Sequence, residues 1–435
     1  MPDDPAPDVI SAGRDPDHEP RRGGRWRLLA GLAAAVLIIG VLAFRLSGGS
    51  SGPVPPPKPP ASPSPVALAV PSMLHGTPLR PGGAPGTLLF LGGDELRLLA
   101  VRAQSQASAP EASVLPGAGD SRDPLGPGVP VQQVIAVAGG VVALVDSRGP
   151  GGLPDIGDVL FVPVGARGAG TPRVIARANY IAAAPDGRDV WVEQAGAPWG
   201  NGPAGSPSWL AGQDGQRRSA VRSLNGQLLV AATVRGLLVQ RPDRTFALMN
   251  PVTGRTASAG LPAGAIIAGT DADRVAWQAA ACPPHCQLTV TDVRGGPDTQ
   301  FTLPPGTTID PGDMSDFDPA GQRLALPLDS TDSDGTITGT SVYVVDLAAR
   351  TIATVPGGPV PVAALPAVLG AFPAGSPAIV SVRWSAAGPG LWIVATDGLY
   401  FQAGYWTGHD PLRVLAPQAG LAYRFGFATT GGPAA

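Results

Sequence analysis

From about residue 85 the chain alternates tight turns with short runs of strand-forming residues. TLLFL follows Pro85-Gly86, VVALVD follows Gly139-Gly140, and VWVEQ follows Pro185-Asp186-Gly187. QLLVAAT follows Asn225-Gly226, RVAWQ follows Asp271, QRLALP follows Pro319-Ala320-Gly321, and LWIVAT follows Ala387-Gly388. The turn residues Gly86, Gly140, Gly187, Gly226, Asp273, Gly321 and Gly388 lie roughly 40 to 70 residues apart, about 50 on average, a period that matches the blades of a β-propeller. Asn-Gly and Asp-Gly turns supply positive-φ positions, and alternation after them puts Val190 with Val192, and Leu324 with Leu326, on one face. Within the sixth unit QRLALPL, SVYVVDL and AARTIATVP read as consecutive strands, and the fourth unit repeats the arrangement. NYIAAA before Pro185 and AIVSVRWS before Ala387 supply one more strand each, so four strands per unit are expected. The fold class is therefore all-β, a propeller of roughly seven blades, with six or eight fitting the same spacing.

Ahead of the repeats stands Leu28 to Phe44, an uncharged, proline-free apolar run of 17 residues. At about 1.5 Å per residue it covers roughly 25 Å, and Trp26 and Leu46 extend it toward the ~30 Å core of a bilayer. Arg21, Arg22, Arg25 and Arg27 precede it and only Arg45 adjoins its other end, which places the N-terminus in the cytoplasm and the rest outside. Cleavage after Val41-Leu42-Ala43 as a secretory signal is the competing reading; the apolar run exceeds the usual signal core and favours the anchor. The expected organisation is a disordered acidic tail over 1–25, a transmembrane helix over 26–46, a Gly/Ser/Pro-rich linker over 47–80 and the propeller over 81–430. The proline-dense linker is semi-extended and acts as a stalk.

Charged residues make up 14% of the chain and apolar ones 44%, a balance that supports a folded core. With a net charge of −3 and no basic stripe beyond the anchor's flank, nucleic acid is not an expected partner. Cys282 and Cys286, in CPPHC, read as a disulfide pinning a loop outside the membrane; reduced thiols and a metal site are the alternatives, the latter lacking a cluster of further ligands.

The stretches AAPDGRDVWV (183–192), FDPAGQRLALP (317–327), VRWSAAGPGLWIVA (382–395) and VYVVDLAARTIATVPG (342–357) resemble the repeats of WD40-like β-propellers of the TolB type, in which Pro-Asp-Gly leads into a short apolar strand. The likeness covers most of 85–430 at the level of period and turn motif. It departs where the step from Gly187 to Gly226 is tight, where the last step is long, and in the first two units, which match poorly. The resemblance implies protein–protein contact, and it implies that the C-terminal run LAYRFGFA (421–428) pairs in the first blade to close the ring.

Catalytic equipment is sparse. Glu19, Glu95, Glu111 and Glu193 are the only glutamates, there is no G-x-S-x-G, and the histidines do not cluster. Asp310, Asp313, Asp316, Asp318, Asp329, Asp332 and Asp334 read as turn and loop caps, with a propeller-loop calcium site as the sharper alternative. Loop aromatics Trp199, Trp209, Tyr405 and Trp406 are candidate contacts for a sugar or a protein. The sequence thus points to a non-catalytic, membrane-anchored scaffold of the cell envelope, without a cofactor, touching the bilayer through residues 28–44 and binding an envelope protein. The alternatives are a propeller enzyme of lyase or glycosidase type, using Asp316, Asp318 or Asp410 around the channel, and a carbohydrate-binding protein.

Overall fold

The computed structural model describes residues 72–78, 87–92, 96–101, 113–115, 131–145, 156–165, 168–194, 206–280, 286–309, 315–361, 379–385, 390–396, 400–415, 417–419 and 427–430. The expected tail and membrane helix lie outside them, as does most of the expected linker. Among the described residues every regular element is a strand, and none is a helix long and apolar enough to cross a membrane.

The strands form seven sheets, arranged as a β-propeller. Five are built from consecutive stretches of chain, and the first and seventh each also take in a strand from the opposite end of the domain. The first sheet in chain order joins Thr87–Gly92, Leu96–Val101 and Ser113–Leu115 to the C-terminal strand Phe427–Thr430. Val131–Val137, Gly140–Val145, Gly157–Gly165 and Arg173–Ala178 build the second, and Tyr180–Ala183, Val190–Glu193, Pro207–Ala211 and Arg222–Ser223 the third. The fourth holds Leu228–Thr233, Gly236–Gln240, Phe246–Met249 and Thr256–Ser258; the fifth holds Ile266–Thr270, Arg274–Gln278, Gln287–Asp292 and Thr299–Thr302. In the sixth the innermost position is split between Thr307–Thr308 and Asp316–Phe317, both pairing with Arg323–Thr331, followed by Ile337–Asp346 and Thr351–Thr354. The seventh runs through Ile379–Trp384, Leu391–Thr396, Tyr400–Trp406 and Arg413–Val414.

The second to seventh sheets bury both faces. Val190 and Val192 join a cluster with Val142, Leu144 and Phe161 of the second sheet, while Trp191, between them in sequence, joins Leu229, Leu237 and Val239 of the fourth. Leu324 and Leu326 pack with Leu288 and Phe301 of the fifth sheet, and Ala325 packs with Val380, Val382 and Trp384 of the seventh. Alternation along a strand therefore sorts side chains between two neighbouring sheets, where a one-sided sheet would sort them between core and water. Gly140–Val145 and Leu391–Thr396 are buried at every position for this reason.

The turns after the innermost strands are closed by side chains of the motif aspartates. Asp186 Oδ1 accepts the N–H groups of Arg188 and Asp189 at 2.9 and 3.1 Å, with Gly187 at φ +64°. Asp271 Oδ1 does the same for Asp273 and Arg274 at 2.7 and 2.6 Å, and Asp318 Oδ1 for Gln322 and Arg323 at 2.6 and 3.0 Å. The recurring aspartates thus act as local caps.

Two long-range pairings hold the ends of the domain. Phe427–Thr430 pairs antiparallel with Leu88–Leu91, the ring closure the resemblance implied. Thr77–Pro78 pairs in parallel with Arg413–Val414 on the outer side of the seventh sheet. Just before it, Met73 and Leu74 are buried against Val360, Leu412 and their neighbours, so part of the expected linker packs against the domain. Gln402 Oε1 accepts both the Met73 and the Leu74 N–H at 2.8 Å, and its Nε2 donates to Leu415 O at 3.0 Å. Replacing Gln402 by Ala strands two buried N–H groups, each worth about 1–3 kcal/mol when unsatisfied. The expected outcome is a lowered urea midpoint followed by tryptophan fluorescence, with freed proteolytic cleavage around residues 72–78.

Candidate functional site

The innermost strands all start on one face of the ring and run to the other, so each second strand ends where its innermost neighbour starts. At that level five successive sheets place a polar residue: Glu193 opposite Tyr180, Gln240 opposite Leu228, Gln278 opposite Ile266, Asp329 opposite Thr308 and Thr396 opposite Ile379. Glu193, Gln278, Asp329 and Thr396 are buried, against the strong tendency of such residues to stay wet. They act as fasteners. Glu193 Oε2 accepts the N–H of Leu229 in the fourth sheet at 2.8 Å, Gln278 Nε2 donates to Thr308 Oγ1 in the sixth at 3.4 Å, and Asp329 Oδ1 accepts from Thr340 Oγ1 at 2.6 Å.

The third sheet extends this pattern into a row. Register aligns Tyr180, Glu193, Ser208 and Arg222 side by side across its four strands, so all four project from the same face. That face meets the fourth sheet: Tyr180 Oη donates to Val230 O at 2.7 Å, Arg222 Nε donates to Pro251 O at 3.1 Å, and Arg222 Nη2 donates to Val252 O. Burial pushes the Glu193 carboxyl up to about 7, opposed only by the Leu229 N–H. Burial pushes the Tyr180 phenol up to about 12, helped by the nearby Glu193 charge and opposed by a hydrogen bond with Gln133. Glu193 appeared in the sequence as one of few glutamates; its only signal was an acid terminating the apolar run Val190-Trp191-Val192.

A second polar cluster lies at the opposite ends of the innermost strands. Asp316 Oδ2 accepts the Trp384 N–H at 2.8 Å, and Asp316 O accepts from Trp384 Nε1 at 3.0 Å, tying the sixth sheet to the seventh. Burial pushes the Asp316 carboxyl up to about 6 against the opposing Arg383 charge. Asp318 pairs with Arg323 Nε at 3.0 Å, and the Arg323 guanidinium sits 4.2 Å over the Trp384 ring. Asp410 is elsewhere, exposed and paired with Arg413 at 3.3 Å in the outermost turn of the seventh sheet. The three aspartates considered for an enzyme therefore do not share one site, and Asp316 and Asp318 are occupied by N–H groups and an arginine.

Three of the aromatic candidates, Trp209, Tyr405 and Trp406, are strand residues and not loop residues. Trp209 lies in the strand Pro207–Ala211, buried in the seam with the second sheet, with Arg217 stacked 5.0 Å from its ring centroid. Tyr405 and Trp406 end the strand Tyr400–Trp406; both are buried, and Tyr405 packs 4.8 Å from Trp392. Their apolar rings fill the spaces between sheets and are not presented to solvent. Trp406 also stands opposite Leu391, at the far end of the innermost strand, whereas the connection carrying Trp199 leaves from Glu193 at the near end. The Glu193 end of Val190–Glu193 and the Trp406 end of Tyr400–Trp406 thus lie on opposite faces. Trp199 itself lies outside the described residues. Cys286 is disulfide-bonded and begins the return to Gln287–Asp292 on the Glu193 face; Cys282 lies outside the described residues.

Asp332 Oδ1 accepts the N–H groups of Asp334 and Thr336, both at 2.9 Å, which makes it a turn cap. Among the described residues no group of three or more His, Cys, Asp or Glu side chains could hold a metal ion.

No family model matches this chain, and no curated protein does. Solved structures similar to it include a β-propeller domain. A protein from Lactobacillus plantarum is 10% identical over 81% of this chain and 100% of that one, with a TM-score of 0.46. The β-propeller domain of the Trilobed protease from Pyrococcus furiosus is 11% identical over 66% and 83%, at 0.42. TolB from Acinetobacter baumannii is 12% identical over 61% of this chain and 62% of its own, at 0.39, so the match spans less than two thirds of TolB. These are likenesses of fold; the propeller assignment rests on the strand order above.

Because the folded state raises the Glu193 carboxyl from 4.5 to about 7, it favours the protonated form. Its contribution is fully present below about pH 4.5 and is lost as pH rises through about 7, a change of up to about 3 kcal/mol at 1.36 kcal/mol per unit. In calcium-free buffer, urea midpoints should fall over that window for the wild type, and Glu193→Gln should flatten the profile.

Proposed function

We propose that this chain is a non-catalytic scaffold of the cell envelope, held by an N-terminal anchor, whose partner protein engages the face on which the innermost strands begin. The observation that supports this reading is the asymmetry between the two faces. On the opposite face the first-to-second strand turns of the second, fourth and fifth sheets are short, from Val137 to Gly140, Thr233 to Gly236 and Thr270 to Arg274, the last capped by Asp271. On the proposed face the second-to-third connections of the second, third and fifth sheets are longer, from Val145 to Gly157, Glu193 to Pro207 and Gln278 to Gln287. The passages between sheets, from Leu115 to Val131 and from Pro361 to Ile379, depart from and return to that face as well. Long connections carried on a rigid ring are where binding residues concentrate. Both clusters of buried carboxylates are engaged in fastening sheets, which favours binding over hydrolysis or elimination. The anchor reading rests on the sequence of residues 21–46 alone.

In-cell crosslinking of the full-length chain, with a control limited to residues 1–72, tests the reading. An envelope protein should co-purify with the full-length form only, and replacing residues 195–205 by a short Gly/Ser turn should weaken its capture. Altering Val234 and Arg235 on the opposite face should leave it unchanged. An empty list from folded, membrane-bound protein would overturn the scaffold.

A further inference from the structure

On the Glu193 face of the third sheet and at the neighbouring edge of the fourth, four buried side-chain oxygens have no protein hydrogen-bond partner. Glu193 accepts the Leu229 N–H through Oε2, while its Oε1 is buried without a protein hydrogen-bond partner. Ser208, at 0% exposure, has an Oγ in the same condition, and it is the cross-strand partner of Glu193, with the two side chains on one face about 5 Å apart at Cβ. Two amide oxygens add to them. Asn179 Oδ1 is buried and unpartnered, and its backbone N–H bonds Glu193 O at 2.8 Å. Gln227 Oε1 is likewise unpartnered, two residues before Leu229, whose N–H already rests on Glu193.

We propose that Glu193 Oε1, Ser208 Oγ, Asn179 Oδ1 and Gln227 Oε1 line a site for a single calcium ion that bridges the third and fourth sheets. The donor set is hard oxygen throughout, one carboxylate with hydroxyl and amide carbonyl groups, which suits calcium. Magnesium demands a smaller and more regular octahedron and keeps its waters, which four oxygens drawn from separate strands and loops do not favour. Asn179 and Gln227 are half-buried, so solvent can complete the coordination on their side. No cationic side chain of the row competes: Arg222 is the only one, and its guanidinium is turned to the carbonyls of Pro251 and Val252. Tyr180, the remaining titratable member, directs its proton to Val230 O. A buried carboxylate in such surroundings must take up either a proton or a cation. The two compete for Glu193, and the cation wins as pH rises. With a single carboxylate the site belongs with the weak extracellular class, half-saturated at about 10⁻⁴–10⁻³ M. This inference does not depend on the identity of any protein partner.

The test uses the full-length chain in detergent, titrated with calcium chloride, magnesium chloride or sodium chloride at matched ionic strength. Calcium should raise the melting temperature at about pH 8, magnesium and sodium should not, and the rise should shrink at about pH 5, where the proton holds the carboxyl. Glu193→Gln should abolish the calcium response, and Ser208→Ala, which leaves packing intact, should shift its midpoint several-fold to higher calcium. Terbium emission sensitised by Tyr180 supplies a readout independent of stability and should be lost in Glu193→Gln. Absence of any calcium-specific response in the wild type, or a response kept at the wild-type level in both Glu193→Gln and Ser208→Ala, overturns the proposal. So does a response that disappears on Asp332→Asn instead, since it would place the ion in the exposed loop of the sixth sheet.

Discussion

The sheets whose side chains are described depend on having a neighbour on each side. A strand such as Gly140–Val145 is apolar at all positions, so neither of its faces can be left to water. The requirement passes from sheet to sheet, from the Val142–Trp209 cluster to the Trp191–Val239 cluster and on to that of Val382 and Trp384. It ends only when the last sheet meets the first. Pairing of Phe427–Thr430 with Leu88–Leu91 supplies that meeting, and it joins the two ends of the domain through backbone hydrogen bonds that neither end could make alone.

Against this apolar background the polar fasteners stand out by position. They occur at strand ends near the channel, where the sheets come closest and backbone groups of one sheet are exposed to the next. Glu193 reaching Leu229 and Asp316 reaching Trp384 solve the same problem on opposite faces, each satisfying an N–H of the following sheet. The carboxylates bear a cost for this, visible in the upward displacement of both. Their perturbation reflects a structural duty, which is why displaced carboxyls here do not by themselves mark a catalytic centre.

Features with a local signal are legible in the sequence. Turn aspartates, the apolar runs after them and the four-strand units were legible because hairpin turns and strand alternation are decided within ten residues or so. Trp209, Tyr405 and Trp406 read as loop residues because glycine and proline surround them: GSPSWLAG and AGYWTGHDP look like punctuation. In the structure those aromatics are strand residues filling seams, since the spaces between twisted sheets need large rings that no local pattern announces. The strap Met73–Leu74 was hidden for a similar reason. It follows a proline-rich run, and only Gln402, far along the chain, gives its N–H groups partners.

What the sequence determined by itself is the class of fold and its modular build, because a repeated turn chemistry with a period near that of a blade permits little else. Its charge asymmetry around Leu28–Phe44 likewise carries the anchor reading. Tertiary structure alone decided which side chains meet. Tyr180, Glu193, Ser208 and Arg222 are scattered across more than forty residues of chain, and their alignment is a property of strand register. Tertiary structure also decided that the Glu193 end of Val190–Glu193 and the Trp406 end of Tyr400–Trp406 lie on opposite faces, since strand direction reverses at each turn. Composition and spacing cannot encode either relation in a form readable along one dimension, because both are set by pairing between strands.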